Sequence, residues 1–230
     1  MSYHFIEDKQ DLLRAQSLAS EIATAVQDQV REDGISCQIF LIGSGARNLV
    51  TANNNEPFDF DYNLNILKYD NWGDGRTIKE TVRKAANRVM REYGLNDFQD
   101  STSSLTSAEI YFKDQPNLRF SIDIGIVTKD NNGVWNRLIH EKTGFSTTDK
   151  YYWNEVKNSK GVNEKASALK KNNHWEEVRK RYLDIKNRYL KANDYNHPSF
   201  ICYIEAVNEI FQKYGKNRWC HEPPFCLILI

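Results

Sequence analysis

Phe58-Asp59-Phe60-Asp61-Tyr62-Asn63-Leu64-Asn65-Ile66 alternates apolar and polar residues without a break. Successive side chains of a strand point to opposite faces. Phe58, Phe60, Tyr62, Leu64 and Ile66 therefore form one face, and Asp59, Asp61, Asn63 and Asn65 the other. The two aspartates project from the same side with Cα atoms roughly 6.5–7 Å apart. No Lys or Arg between residues 58 and 67 neutralises them. Alone, the pattern fits the solvated face of any half-buried sheet. Its neighbours say more.

Upstream, Cys37-Gln38-Ile39-Phe40-Leu41-Ile42 reads as a short buried strand that runs into Gly43-Ser44-Gly45, a turn opening a short helix over residues 46–49. Downstream, residues 118–127 alternate again. Phe120, Ile122, Ile124 and Ile126 take the apolar face, and Asp123 points away from it. Three carboxylates thus fall on strands that follow a glycine-serine turn.

The rest of the chain divides in character. Leu18, Ile22, Val26 and Val30 recur every four residues and predict a helix over 5–31, ended by Asp33-Gly34. A second helix is expected over 77–93. Thr77 and Glu80 would form its capping box, Ile78, Val82, Ala85, Val89 and Tyr93 its stripe, and Gly94 its stop. Further strands are expected over 107–113 and 134–141. After about Gly144 the pattern turns helical. Trp175, Val178, Tyr182, Ile185 and Tyr189 form one stripe, and Asn196-His197-Pro198 opens another helix that buries Ile204, Val207, Phe211 and Tyr214. The expected fold class is α+β: a mixed twisted sheet flanked by helices over residues 1–145, then a helical domain over 146–230.

The 230 residues, 40% hydrophobic and 12% aromatic, suffice for a real core. A formal net charge of zero removes any general attraction to nucleic acid or anionic membrane. The balance is uneven along the chain. Fifteen Lys or Arg face ten Asp or Glu from Ser146 onward, leaving sixteen against twenty-one before it. An acidic first part suits carboxylates that hold cations, and a basic second part suits phosphate. No basic start leads into an apolar run, so no secretory signal is expected, and the apolar stretch over 225–230 is too short to span a bilayer. Cys37, Cys202, Cys220 and Cys226 read as reduced thiols of a cytoplasmic protein. Cys220, His221 and Cys226 lie close together, but their spacing fits no standard zinc site. The five histidines, His4, His140, His174, His197 and His221, show no metal-ligand spacing.

Carboxylates gathered without basic partners repel one another, and hard divalent cations relieve that repulsion. Two such ions about 3.5–4 Å apart clamp the attacking and leaving oxygens of a phosphoryl displacement. Exposed amides in a small-residue turn at a helix start hold phosphate oxygens. Gly43-Ser44, then Asp59-Phe60-Asp61-Tyr62, then Asp123 within Phe120-Ser121-Ile122-Asp123-Ile124, resembles the signature of the polymerase-beta-like nucleotidyltransferase superfamily. That signature is an apolar strand, Gly-Ser, a short helix, Asp-x-Asp and a third acid on a later strand. Fourteen residues separate Ser44 from Asp59, slightly more than in compact versions, and the polar loop Ala52-Asn53-Asn54-Asn55-Glu56 accounts for the excess.

By that resemblance Asp59, Asp61 and Asp123 would be catalytic and metal-binding. The first two would hold both magnesium ions, with manganese as an alternative, and Asp123 the ion that activates the acceptor hydroxyl. Gly43 and Ser44 would hold the triphosphate, with Lys165, Lys170 or Lys171 of a later helix against it. Residues 1–145 would be the nucleotidyltransferase palm and 146–230 a helical domain closing over the nucleotide. The implied reaction moves a nucleoside monophosphate, AMP from ATP by default, to an acceptor hydroxyl and releases pyrophosphate. Zero net charge disfavours a long nucleic-acid acceptor and leaves a small molecule, a nucleotide or a protein. Two other readings stay open: a catalytically weak nucleotide-binding regulator of the same fold, and a tRNA- or RNA-modifying transferase using Arg179-Lys180-Arg181. Gly43-x-Gly45 does not complete a dinucleotide fingerprint, because Asn48 stands where the third glycine belongs.

Overall fold

The computed structural model describes residues 2–6, 8–54, 56–70, 74–156, 161–194 and 197–215. In chain order the elements are β1 (Tyr3–Phe5), α1 (Lys9–Glu32), β2 (Ser36–Leu41), α2 (Gly43–Arg47), β3 (Thr51–Asn53), β4 (Phe58–Lys68), α3 (Gly75–Glu92), β5 (Gln99–Asp100), β6 (Leu105–Thr106), β7 (Ile110–Phe112), β8 (Gln115–Lys129), β9 (Trp135–Glu141), β10 (Lys150–Glu155), α4 (Val162–Lys171), α5 (Trp175–Lys191) and α6 (Ser199–Gly215). They fall into two compact units, His4–Lys157 and Asn158–Ile230 with Met1–Tyr3. The zinc candidates Cys220, His221 and Cys226 lie outside the described residues, as does Asn196.

The first unit is built on one sheet with the central order β10-β9-β8-β4-β2, to which β6 and β7 add at β8. Among the described residues β4 and β8 are its parallel pair, and the other pairings are antiparallel. Parallel neighbours need a crossover, and α3 lies in it. The α+β class expected from the sequence is the class found. Phe58, Phe60, Tyr62, Leu64 and Ile66 are all buried, as are Phe120, Ile122, Ile124 and Ile126 of β8. Ala15, Ala19, Ile22, Ala23, Val26 and Val30 of α1, and Ile78, Val82, Ala85, Ala86, Val89 and Met90 of α3, complete the same core. The alanines let both helices approach closely. Each large side chain so buried contributes about 1.5–3 kcal/mol of transfer free energy. One face of the sheet is thereby used up, and the polar face of β4 is left for other work.

The open edge of β2 is covered by α1. Gln27 Oε1 accepts from Ile39 N at 2.7 Å, and Arg31 Nε donates to the Cys37 carbonyl at 3.0 Å. A polar cluster sits inside the unit, where Lys79 is 1% exposed with its Nζ 2.6 Å from Asp100 Oδ1. His140 lies between Asp100 at 2.7 Å and Asp149 at 2.9 Å.

Several boundaries differ from expectation for local reasons. Helix α1 starts at Lys9 because Asp8 caps it, accepting from the amides of Gln10 and Asp11. Helix α3 starts at Gly75, and its cap is Asp74, whose carboxylate accepts from Thr77 N at 3.1 Å and from the Thr77 hydroxyl. Thr77 is thus capped rather than capping. The strand expected over 107–113 is split. Ser107 interrupts it by exchanging two bonds with Ile122, its N donating to the carbonyl at 2.9 Å and its Oγ accepting from the amide at 2.9 Å. Beyond Gly144 the chain makes one more strand before the helices, and β10 pairs Tyr151 with His140 and Trp153 with Leu138.

The second unit packs α4, α5 and α6 through Val162, Ala166, Leu169, Val178, Tyr182, Ile185, Cys202, Tyr203, Ala206, Val207 and Ile210. Of the four residues expected to be buried on α6, Val207 alone is fully so, because the helix turns the Cys202 side inward. No helix among the described residues is long and apolar enough to cross a membrane.

Candidate active site

The register of the parallel pair decides where the carboxylates meet. Asp59 of β4 stands beside Ser121 of β8, and Asp61 beside Asp123. Adjacent residues in paired strands share a face, so all three acids project from the side of the sheet opposite the core. On the far edge of β8, β6 places Thr106 opposite Asp123. The Ser121 hydroxyl donates to Asp59 Oδ1 and the Thr106 hydroxyl to Asp123 Oδ1.

The glycine-serine turn closes on Asp61 from the other side. Strand β2 ends opposite Tyr62, and Ile42 N donates to the Asp61 carbonyl at 2.8 Å. Gly43 then takes φ +63°, a backbone that L side chains rarely adopt. A Cβ at this position would collide with Asp61 Oδ2 and stand 3.0 Å from Cγ. Glycine is required twice over. Helix α2 follows at once, and its first amides, at Gly43, Ser44 and Gly45, have no carbonyl one turn back within the helix.

Burial, then the neighbouring charges of Asp123 and Asp59, raises the Asp61 carboxyl to about 6, against a weaker opposing pull from Arg137 and Arg47. Asp123 is raised too, again first by burial, with the Thr106 hydrogen bond and Arg137 opposing. Arg137 comes from β9 and reaches across Gly125 to donate to Asn63 Oδ1 at 3.1 Å. Burial lowers its own pKa while Asp61 and Asp123 raise it. The site is therefore an acidic cluster that Arg137 and Arg47 only partly counter.

A divalent cation fits that donor set. Among the described residues no three His, Cys, Asp or Glu side chains are grouped so that they could hold a metal ion by themselves. Magnesium seldom needs such a group; it takes one or two carboxylates and fills its octahedron with water and substrate phosphate. Asp61, pushed toward neutrality by its burial and then by two neighbouring acids, carries a cost that a bound cation would remove.

No protein-family model matches the sequence, and no curated protein matches it. Solved structures match in fold. Escherichia coli MS115-1 CdnC, solved with ATP, matches with a TM-score of 0.58 at 13% identity, over 89% of this chain and 61% of that one. Vibrio cholerae DncV in its 3'-deoxy GTP bound form matches with 0.60 at 9% identity, over 88% and 66%. DncV cyclic AMP-GMP synthase in complex with the linear intermediate 5' pppA(3',5')pG matches with 0.58 at 10%, over 88% and 68%. The chain therefore shares the fold of CdnC and DncV. At these identities the likeness is one of fold, and the chain spans 61% of CdnC.

Within this fold the structure brings together Gly43, Ser44, Asp59, Asp61 and Asp123 around the β2–α2 turn and the β4–β8 pair. Lys165 and Lys170 lie on α4 in the second unit. There Lys165 Nζ donates to Asn208 Oδ1 at 2.7 Å, and Lys170 Nζ sits 4.4 Å from the Trp175 ring centroid. Three residues of the site escaped sequence reasoning: Thr106, Ser121 and Arg137. Ser121 had a usable signal, since it shares the parity of Asp123. Thr106 and Arg137 had none, because their strands are placed by pairings that no local pattern encodes.

Proposed function

We propose that this chain is a metal-dependent nucleotidyltransferase that moves a nucleoside monophosphate from an NTP to the hydroxyl of an acceptor and releases pyrophosphate. The observation that carries the proposal is the side-by-side placement of Asp61 and Asp123, with Asp59 one strand repeat away and Gly43 packed against Asp61. Asp59, Asp61 and Asp123 are the residues that would hold two magnesium or manganese ions. When bound, such ions neutralise charge on the attacking and leaving oxygens of an in-line displacement. The amides of Gly43 and Ser44 would orient the triphosphate, placing its α-phosphorus over the acids. The acceptor oxygen bonds to that phosphorus as the bond to the β-phosphate oxygen breaks, and the acceptor's hydroxyl proton would leave to solvent, helped by the ion that Asp123 would hold.

ATP is the first nucleotide to test, and a second nucleotide is the acceptor class favoured. The ATP of the CdnC structure and the linear dinucleotide of the DncV structure support that choice. Incubation of the purified chain with each α-labelled NTP, alone and in pairs with magnesium or manganese, tests it. Labelled oligonucleotide or cyclic product together with pyrophosphate is expected. Failure of every pair, and of an added cell extract, would favour a nucleotide-binding regulator.

A further inference from the structure

We propose that Thr106 and Ser121 are positioning residues, whose hydroxyls each fix one oxygen of Asp123 and Asp59 and so present the second oxygen to a divalent cation. The proposal rests on the nucleotidyl-transfer reading above. Both bonds go to Oδ1, from Thr106 to Asp123 and from Ser121 to Asp59. No described side chain donates to Oδ2 of either acid. Two partly buried carboxylates of the same unit, in the Lys79–His140 cluster, use both oxygens. Asp149 uses Oδ1 for Thr143 N and Oδ2 for His140, while Asp100 uses Oδ1 for Lys79 and Oδ2 for His140. Asp59 and Asp123 are each satisfied on one side and left open on the other.

The chain takes trouble to deliver the Thr106 hydroxyl. Strand β6 is two residues long, too short to hold itself. Leu105 anchors it, fully buried opposite Ile124, and strand alternation then turns Thr106 to the acidic face opposite Asp123. The next residue, Ser107, clamps the segment through its two bonds to Ile122. Threonine suits the place, because its β-branch narrows χ1 and with it the direction of the hydroxyl. Ser121 needs no such device, lying on β8 directly beside Asp59. Without these donors, repelling carboxylates would rotate apart. With them, two acids are held by hydroxyls, while the third, Asp61, packs closely against Gly43.

The test compares full-length wild type with Thr106→Val, Thr106→Ser and Ser121→Ala. ATP affinity is measured by calorimetry across a series of MnCl2 concentrations, and thermal unfolding is recorded without metal. Thr106→Val keeps the shape and loses the donor. It should raise the manganese concentration for half-maximal ATP affinity roughly 10–100-fold, the usual cost of losing a group that orients a metal ligand. Thr106→Ser should keep the wild-type dependence, and Ser121→Ala should shift it in the same direction as Thr106→Val. Wild-type manganese dependence in both Thr106→Val and Ser121→Ala overturns the proposal. So does a Thr106→Ser as impaired as Thr106→Val, since packing of the methyl would then be the cause. If Thr106→Val fails to unfold cooperatively, Ser121→Ala alone decides. A wild type whose ATP affinity ignores manganese refutes the nucleotidyl-transfer reading itself, a result separate from any difference among variants.

Discussion

Gly43 and Asp61 compete for the same space: a Cβ on Gly43 would strike Asp61 Oδ2, and the glycine already sits at φ +63°. Gly43→Ala therefore meets a strained backbone and a collision together. It should destabilise the chain by about 1–3 kcal/mol. By displacing Asp61 it should lower nucleotidyl transfer by about 100-fold or more, as misplacement of a reacting group by an ångström does. Thermal melts and steady-state kinetics on the same preparation check both. An unchanged kcat would mean that the close approach is incidental.

Asp61→Asn removes a charge that the folded chain holds at a cost. With the carboxyl raised to about 6, the amide should stabilise the metal-free protein at neutral pH by roughly 1–3 kcal/mol, while transfer is lost. Denaturant unfolding without metal measures the first effect and product formation the second. A destabilised Asp61→Asn would show that the folded chain does not hold the Asp61 charge at a net cost from burial and repulsion.

The same shift sets a pH dependence whose sign follows from linkage. The native state holds the Asp61 proton more tightly than the unfolded chain does, because its pKa lies above the ordinary value of 3.8. Stability of the metal-free protein should then fall as pH rises from about 4 to about 6 and level off above that. Asp123, shifted in the same direction, adds to the slope. Comparing thermal midpoints of wild type and Asp61→Asn across this window isolates the Asp61 part, and parallel curves would refute it.

Asp74→Ala should cost about 1 kcal/mol, the usual value of an N-cap, whereas Glu80→Ala should leave the start of α3 unchanged. Equilibrium unfolding of the two variants distinguishes the observed cap from the capping box expected at Thr77 and Glu80. The error has a physical source. Thr-x-x-Glu and an aspartate three residues before threonine are both good helix starts, and only the backbone angles choose between them.

Tight binding of tRNA is not expected at physiological salt. In the basic run Arg181 pairs with Glu209 at 2.5 Å and Arg179 with Glu176 at 3.7 Å, and nearby Arg188 pairs with Glu205 and Lys213 with Glu177, each at 2.8 Å, so acids of α5 and α6 already answer part of this basic charge. A gel shift with tRNA over a salt series, beside ATP calorimetry, tests this. Retention of tRNA at that salt would favour an RNA-modifying transferase.

How far the sequence could be read depended on the range of the interactions. The alternation from Phe58 to Ile66 and from Leu118 to Val127 placed the three acids on the polar face, because strand parity is a local property. Gly43 was legible as a turn, though its contact with Asp61 was not. Lys79 shows the opposite case. Beside Ile78 on α3 it looks solvated, yet it is buried against Asp100, a residue supplied by a distant strand. Strand β10, Thr106 and Arg137 were hidden for the same reason, since pairing across the sheet carries no periodic mark in one stretch of chain.

The β4–β8 pairing also fixes an order of events. Ser121 and Asp59 are 62 residues apart, whereas the β2–α2–β4 segment that brings Gly43 to Asp61 is nearly continuous. Loop-closure entropy must be met before distant strands gain from pairing, which makes parallel contacts slow to form. A refolding chain should recover helical signal before it recovers any affinity for nucleotide. On the ribosome, a chain that has exposed β4 but not yet β8 carries two of the three acids and no place for the third.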